Sequence, residues 1–207
     1  MSSAKGLTHY GPRSVETFTG IELSLDDPQP WMFTIRDIAV GLGNVCRFSG
    51  QVRRFYSVAE HSVLVSDLLG VMGRADLRFP GLMHDGSEAY IADVIAPVKL
   101  ILRDNPEHTL EFGGRQSNYD LLSKRLDAAI EKAFDYRVSE EDHKVIKQAD
   151  YWALRIETYS LCHSKGHHWT WPGTYSTAAP EGVNWRGGLL PFEASMLFET
   201  RFEELSS

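Results

Sequence analysis

From residue 34 onward the apolar residues of this chain recur mainly at helical spacing, and strand-like alternation is scarce. That period constrains the fold more than any other feature, and it predicts an all-α bundle. Ile35, Ile38, Ala39 and Leu42 mark a first helix over 34–43, closed by Gly41 and Gly43. Ser57 and Glu60 form an S-x-x-E capping box that starts a second helix. Its stripe is Val58, Val65, Leu68, Leu69 and Met72, with His61 on the same stripe. A short helix is expected over 75–85, stopped by Gly86, and another over 88–95, broken by Pro97. Leu121, Leu122, Leu126, Ala129, Ile130 and Ala133 define an amphipathic helix over 117–134. Ser139, followed by Glu140, Glu141 and Asp142, caps a helix that runs to about residue 163 and carries Asp150. Phe192, Met196, Phe198, Phe202 and Leu205 mark a final helix over 192–205.

Two stretches fall outside this pattern. Residues 1–33 hold scattered Gly and Pro and read as an irregular or short-stranded lead-in. Residues 165–191 are rich in Gly, Pro and Trp. A loop of that length in a compact domain is commonly functional or interfacial. His167, His168, Trp169, Thr170 and Trp171 are candidates for a lid or a subunit contact, with an ordered surface loop as the alternative. The 207 residues, 43% hydrophobic, suffice for one domain: lead-in 1–33, helical core 34–163, and loop plus last helix 164–207.

A net charge of −7 argues against duplex nucleic acid as a partner, because that surface demands a basic face. Cys46 and Cys162 are far apart and read as reduced thiols of the cytoplasm. The first thirty residues lack the apolar core of a secretory signal, and no run approaches a membrane span.

Four residues then stand out: His61, the pair His84-Asp85, and Asp150. Adjacent helical residues point about 100° apart, so His84 and Asp85 can serve one ion only where a helix ends, and Gly86 supplies that place. Asp150 falls among the apolar residues Ile146, Tyr151 and Leu154, where an unpaired carboxylate is costly and a cation removes the cost. Two imidazoles and two carboxylates suit one divalent metal ion (cobalt, manganese, zinc, iron or magnesium) with positions left for water and a phosphate oxygen. His108, His143, His163, His167 and His168 show no matching partners and read as surface or loop residues, so the expected site is mononuclear.

The H…HD…D order resembles that of the HD-domain metal-dependent phosphohydrolases. The resemblance covers roughly residues 34–155 and extends to Arg47-Phe48, Glu88, Asp93, Ala96-Pro97-Val98-Lys99 and Lys147-Gln148-Ala149-Asp150. This ordering is similar to that of bacterial 5′-deoxynucleotidases and of phage dATP triphosphohydrolases. It implies catalytic roles for Glu88 and Asp93, in proton transfer and water positioning, and nucleotide contact by Arg47 and Phe48. Lys99 can hold a phosphate oxygen. The bacterial deoxynucleotidases have tryptophan where this chain has Phe48, and they do not share residues 1–33 or 165–191.

The expected activity is hydrolysis of 5′-phosphate esters of (deoxy)nucleotides. The lead-in and the run Arg53-Arg54-Phe55-Tyr56-Ser57 tilt it toward a triphosphohydrolase preferring dATP. The alternatives are a 5′-deoxynucleoside monophosphatase and a non-catalytic nucleotide sensor. A small-molecule nucleotide and further copies of the chain are the expected partners. The cytoplasm, or the host cytoplasm for a phage protein, is the expected location.

Overall fold

The computed structural model of this chain describes residues 11–103 and 117–206, so His108 lies outside the described residues. The fold is all-α. The described part of its lead-in contributes two short antiparallel strands, β1 (Ser14–Glu16) and β2 (Glu22–Ser24), with Val15 paired to Leu23. The helices follow in order: α1 (Ile35–Asn44), α2 (Val58–Val71), α3 (Arg78–Met83), α4 (Glu88–Ile91), α5 (Ala96–Arg103), α6 (Asn118–Ala133), α7 (Glu140–Leu161) and α8 (Pro191–Leu205). No helix of the described residues is long and apolar enough to cross a membrane.

The helix starts obey the expected chemistry. Thr34, Ser57, Ser117 and Ser139 each accept the backbone N–H three residues on, which satisfies one orphan donor of the first turn. Ser57 and Glu60 close the reciprocal box.

α2 lies at the centre. Instead of one apolar stripe it is buried nearly all round, from Val58 to Leu69, as a helix between two layers must be. One side meets α1, α3, α6 and α8 through Val58, Ala59, Leu42, Leu82, Ile130 and Phe198. The other meets α7 through Leu64, Leu68, Ala149, Ala153 and Ile156. His61 therefore sits inside the protein, fully buried, where an imidazole needs partners for both nitrogens.

Three expectations change. Pro97 does not break a helix; it stands in the first turn of α5, where its missing N–H costs nothing, and α4 ends earlier at Ala92. Phe192 and Met196 of α8 face outward, because α8 docks on α1 through its small residues: a Cβ at Gly43 would clash with Ser195 Oγ. Leu121 of α6 is likewise exposed, and Leu126, Ala129 and Ile130 make the buried face.

Candidate metal centre

Separate segments bring His61, His84 and Asp85 together and place Asp150 beside His61. His61 comes from the second turn of α2. His84 and Asp85 occupy the turn between α3 and α4, where Gly86 N–H closes on Met83 O at 2.9 Å and frees both side chains to point the same way. Asp150 comes from the middle of α7. One ligand atom each from His61, His84 and Asp85 lies within 4.8 Å of the others. His84 Nε2 is 3.2 Å, and His61 Nε2 3.5 Å, from Asp85 Oδ2. Asp150 joins through His61, with Oδ1 3.3 Å from His61 Nε2.

The orientation of each imidazole is fixed from behind. Glu157 Oε1 lies 2.6 Å from His61 Nδ1; an ionised carboxylate only accepts, so Nδ1 carries the proton. His84 Nδ1 donates to Gly81 O at 2.8 Å for the same reason. Both Nε2 atoms are left buried and without a hydrogen-bond partner among the described residues, and both aim at Asp85. Two orphaned, inward-facing imidazole nitrogens beside carboxylates form a donor set suited to a divalent cation. His61, His84 and Asp85 could hold a metal ion.

The charge state agrees with that assignment. Burial opposes ionisation of Asp85 and Asp150, yet the adjacent imidazoles, and Lys147 for Asp150, hold both well below the usual carboxylate range. Burial and Arg47 act against a proton on His61, but Glu157 and Asp150 prevail and raise its pKa to about 9 without metal. A cation at Nε2 would displace that proton.

Glu157 was not singled out from the sequence. It lies seven residues after Asp150 on α7, two helical turns on and hence on the same face, and that spacing is the signal it offered. Fully buried, it also meets Arg47 Nε through Oε2 at 3.3 Å and accepts from Tyr56 Oη at 3.0 Å. Trp185 Nε1 in turn donates to Tyr56 Oη at 3.0 Å. A chain of hydrogen bonds thus runs from the Gly/Trp-rich segment to the back of His61. Leu189 N–H adds a second tie by donating to Glu60 Oε1 at 3.1 Å.

The other predicted residues gather on one side of this centre. Arg47 N–H donates to Tyr56 O at 2.9 Å, and Val58 N–H to Val45 O at 3.0 Å, which folds residues 45–58 back on themselves and turns Arg47 inward. Its guanidinium reaches Asp85 Oδ2 at 3.7 Å and lies 5.6 Å from the Phe48 ring centroid. Glu88 opens α4 one turn after His84, with Lys99 Nζ 3.5 Å from its Oε1 and its Oε2 buried without a partner among the described residues. Burial, and then the charges of Asp85 and Asp93, push Glu88 well above the usual range. Asp93 follows Ala92, whose φ of 64° and ψ of 163° belong to a region other than glycine rarely enters. Such strain costs on the order of 1–3 kcal/mol and is found where side chains must be aimed. Burial raises Asp93 too, while Arg47 opposes the rise.

A cavity of about 160 Å³ gives solvent access to His84, Asp85 and Asp150, with Asp127, Tyr136 and Lys147 on its walls. Lys147 Nζ donates to Asp150 Oδ2 at 2.6 Å. His143 is exposed at the same cavity and stands on α7 rather than on a loop. His163, His167 and His168 are exposed.

Fold and site together define an all-α protein with a partly buried His/Asp group that could hold a metal ion. The chain is 33% identical over 192 residues to the uncharacterized protein YfdR of Escherichia coli, covering 93% of this chain and 95% of YfdR. It is 34% identical over 152 residues to the uncharacterized protein RCAP_rcc00048 of Rhodobacter capsulatus, covering 69% and 70% of the two chains. This chain belongs to the family of YfdR. No protein-family model matches it.

Proposed function

We propose that this protein is a metal-dependent phosphohydrolase of the HD-domain type that cleaves 5′-phosphate esters of deoxynucleotides, with dATP and the other triphosphates as the foremost substrates. The observation that carries this reading is the pair of orphaned imidazole nitrogens, His61 Nε2 and His84 Nε2, facing Asp85, with the buried Glu88 one helical turn after His84. His61, His84, Asp85 and Asp150 would hold the ion. When bound, a divalent ion supplies positive charge for a phosphoryl oxygen and acidity for the attacking water.

The remaining work falls to side chains. Arg47, wedged between Glu157 and Asp85, presents a fixed planar fork to phosphate oxygens. Lys99 adds a second cation beside Glu88. Phosphoester cleavage ends with a proton on the leaving 5′ oxygen. Glu88, whose proton is held more tightly than usual by burial and by the charges of Asp85 and Asp93, can deliver it. Asp93, aimed by the strained Ala92, can accept a hydrogen bond from the attacking water and orient it. A pure sensor would have no use for a buried carboxyl of raised pKa at that position.

The test is a panel of the eight common ribo- and deoxynucleoside triphosphates and their monophosphates, with cobalt, followed by chromatography of the products. Release of deoxynucleoside and tripolyphosphate from dATP, abolished by Asp85→Ala, supports the triphosphohydrolase. Release of phosphate from monophosphates alone makes the protein a monophosphatase. No turnover of any compound refutes hydrolysis.

A further inference from the structure

The run Lys147-Gln148-Ala149-Asp150 brings a charge to the metal centre that the hydrolytic reading leaves without a task. Lys147 stands one helical turn before Asp150 on α7, so both side chains leave the helix on one face. The two oxygens of Asp150 meet different partners. Oδ1 lies 3.3 Å from His61 Nε2, the buried nitrogen that has no hydrogen-bond partner among the described residues. Oδ2 accepts from Lys147 Nζ at 2.6 Å.

The ammonium has a second anchor. It lies over the Tyr151 ring, 5.0 Å from the centroid, where the face of the ring attracts a cation. The Asp150 side chain is 15% exposed and that of Lys147 58%, so the lysine reaches in from the surface to a carboxylate that water meets only at its edge. Both residues line the cavity that opens on His84 and Asp85. Asp85 carries no such clamp: Arg47 Nη1 stands 3.7 Å from its Oδ2, beyond hydrogen-bond reach.

A carboxylate can offer a cation one oxygen or both. An octahedral ion that takes one atom each from His61, His84, Asp85 and Asp150 keeps room for a water and a phosphate oxygen together. A second oxygen from Asp150 would close one of those places and set water and phosphate in competition. We propose that Lys147 is a positioning residue that reserves Asp150 Oδ2 and so restricts Asp150 to one oxygen at the metal. The assignment rests on the metal centre of the reading above and holds for any phosphate ester as substrate.

The test loads the full chain with manganese, a paramagnetic ion whose bound waters speed the relaxation of solvent protons. Lys147→Met removes the ammonium and keeps an unbranched stem. It should keep Tm and hold manganese at least as tightly as wild type, because a neighbouring cation has gone. The relaxation enhancement per bound ion should fall by about half as one open place closes. Lys147→Arg, which can still donate to Oδ2, should restore it. Lys147→Ala repeats the measurement should the methionine lower Tm. Weaker manganese binding without the ammonium, or an unchanged enhancement at retained affinity, overturns the clamp. Wild type that takes up cobalt but not manganese overturns the clamp alone. Wild type that takes up neither ion overturns the metal centre with it.

Discussion

Glu157 Oε1 and His61 Nδ1 stand 2.6 Å apart, both residues wholly buried, on helices α7 and α2 and 96 positions apart in the chain. The carboxylate fixes the tautomer that turns His61 Nε2 toward Asp85 and Asp150. Partners of this kind contribute about 10–100-fold to metal affinity. Glu157→Gln should therefore weaken cobalt binding by at least about tenfold in competition with a chromophoric chelator. Wild-type affinity in that variant would show that His61 needs no support from behind.

Glu88 has a different task. Its Oε1 is near Lys99, its Oε2 has no partner among the described residues, and burial raises its pKa well above the usual range. Glu88→Gln should retain metal and nucleotide binding while turnover falls by about 10²–10⁴-fold. A kcat within about twofold of wild type would remove Glu88 from proton transfer.

Arg47 is buried between two carboxylates, and Glu157 has no water to turn to if Arg47 is lost. Removing one partner of a buried pair costs about 3–5 kcal/mol. Arg47→Ala should lower Tm by roughly 10 °C, so kinetics belong to Arg47→Lys, which keeps the charge and loses the fork. In that variant KM should rise more for triphosphates than for monophosphates. Equal increases would place Arg47 at a single phosphate.

Asp127 gives a pH-dependent prediction. Burial raises its pKa from 3.8 to about 6, against the opposing hydroxyls of Ser87 and Ser123. The folded state binds this proton more tightly than the unfolded chain. The stabilisation is thus complete below pH 3.8 and lost as pH rises through about 6. Asp127→Asn should be more stable than wild type at pH 8 by up to about 3 kcal/mol and should show no gain near pH 4. A gain of equal size at both pH values would assign the effect to packing.

Much of this arrangement was legible along the chain because its signals are local. Ser57 with Glu60 and Ser139 with Asp142 announce helix starts through side chains that reach only three residues on. His84, Asp85 and Gly86 announce a turn that can point two neighbours the same way. What stayed hidden depends on contacts between distant segments. Pro97 reads as a breaker or as a first-turn residue according to where the preceding helix ends, and the strained Ala92 ends it early. Phe192 and Met196 lie in an apolar run whose inward face is chosen by the docking of Ser195 against Gly43. Glu157 looks like any helical carboxylate until α7 packs on α2. Trp169 and Trp185 carry no period at all, and only the folded chain brings one to Phe48 and the other to Tyr56.

The central claim is that His61, His84 and Asp85, with Asp150, hold one divalent ion. Elemental analysis of the purified protein, set beside His84→Ala and Asp85→Ala variants shown to be folded by circular dichroism, tests it directly. One equivalent of a transition metal in the wild type, and a small fraction of that in each variant, is the predicted result. Full metal content in a folded Asp85→Ala variant would contradict the site, and the proposed hydrolysis with it.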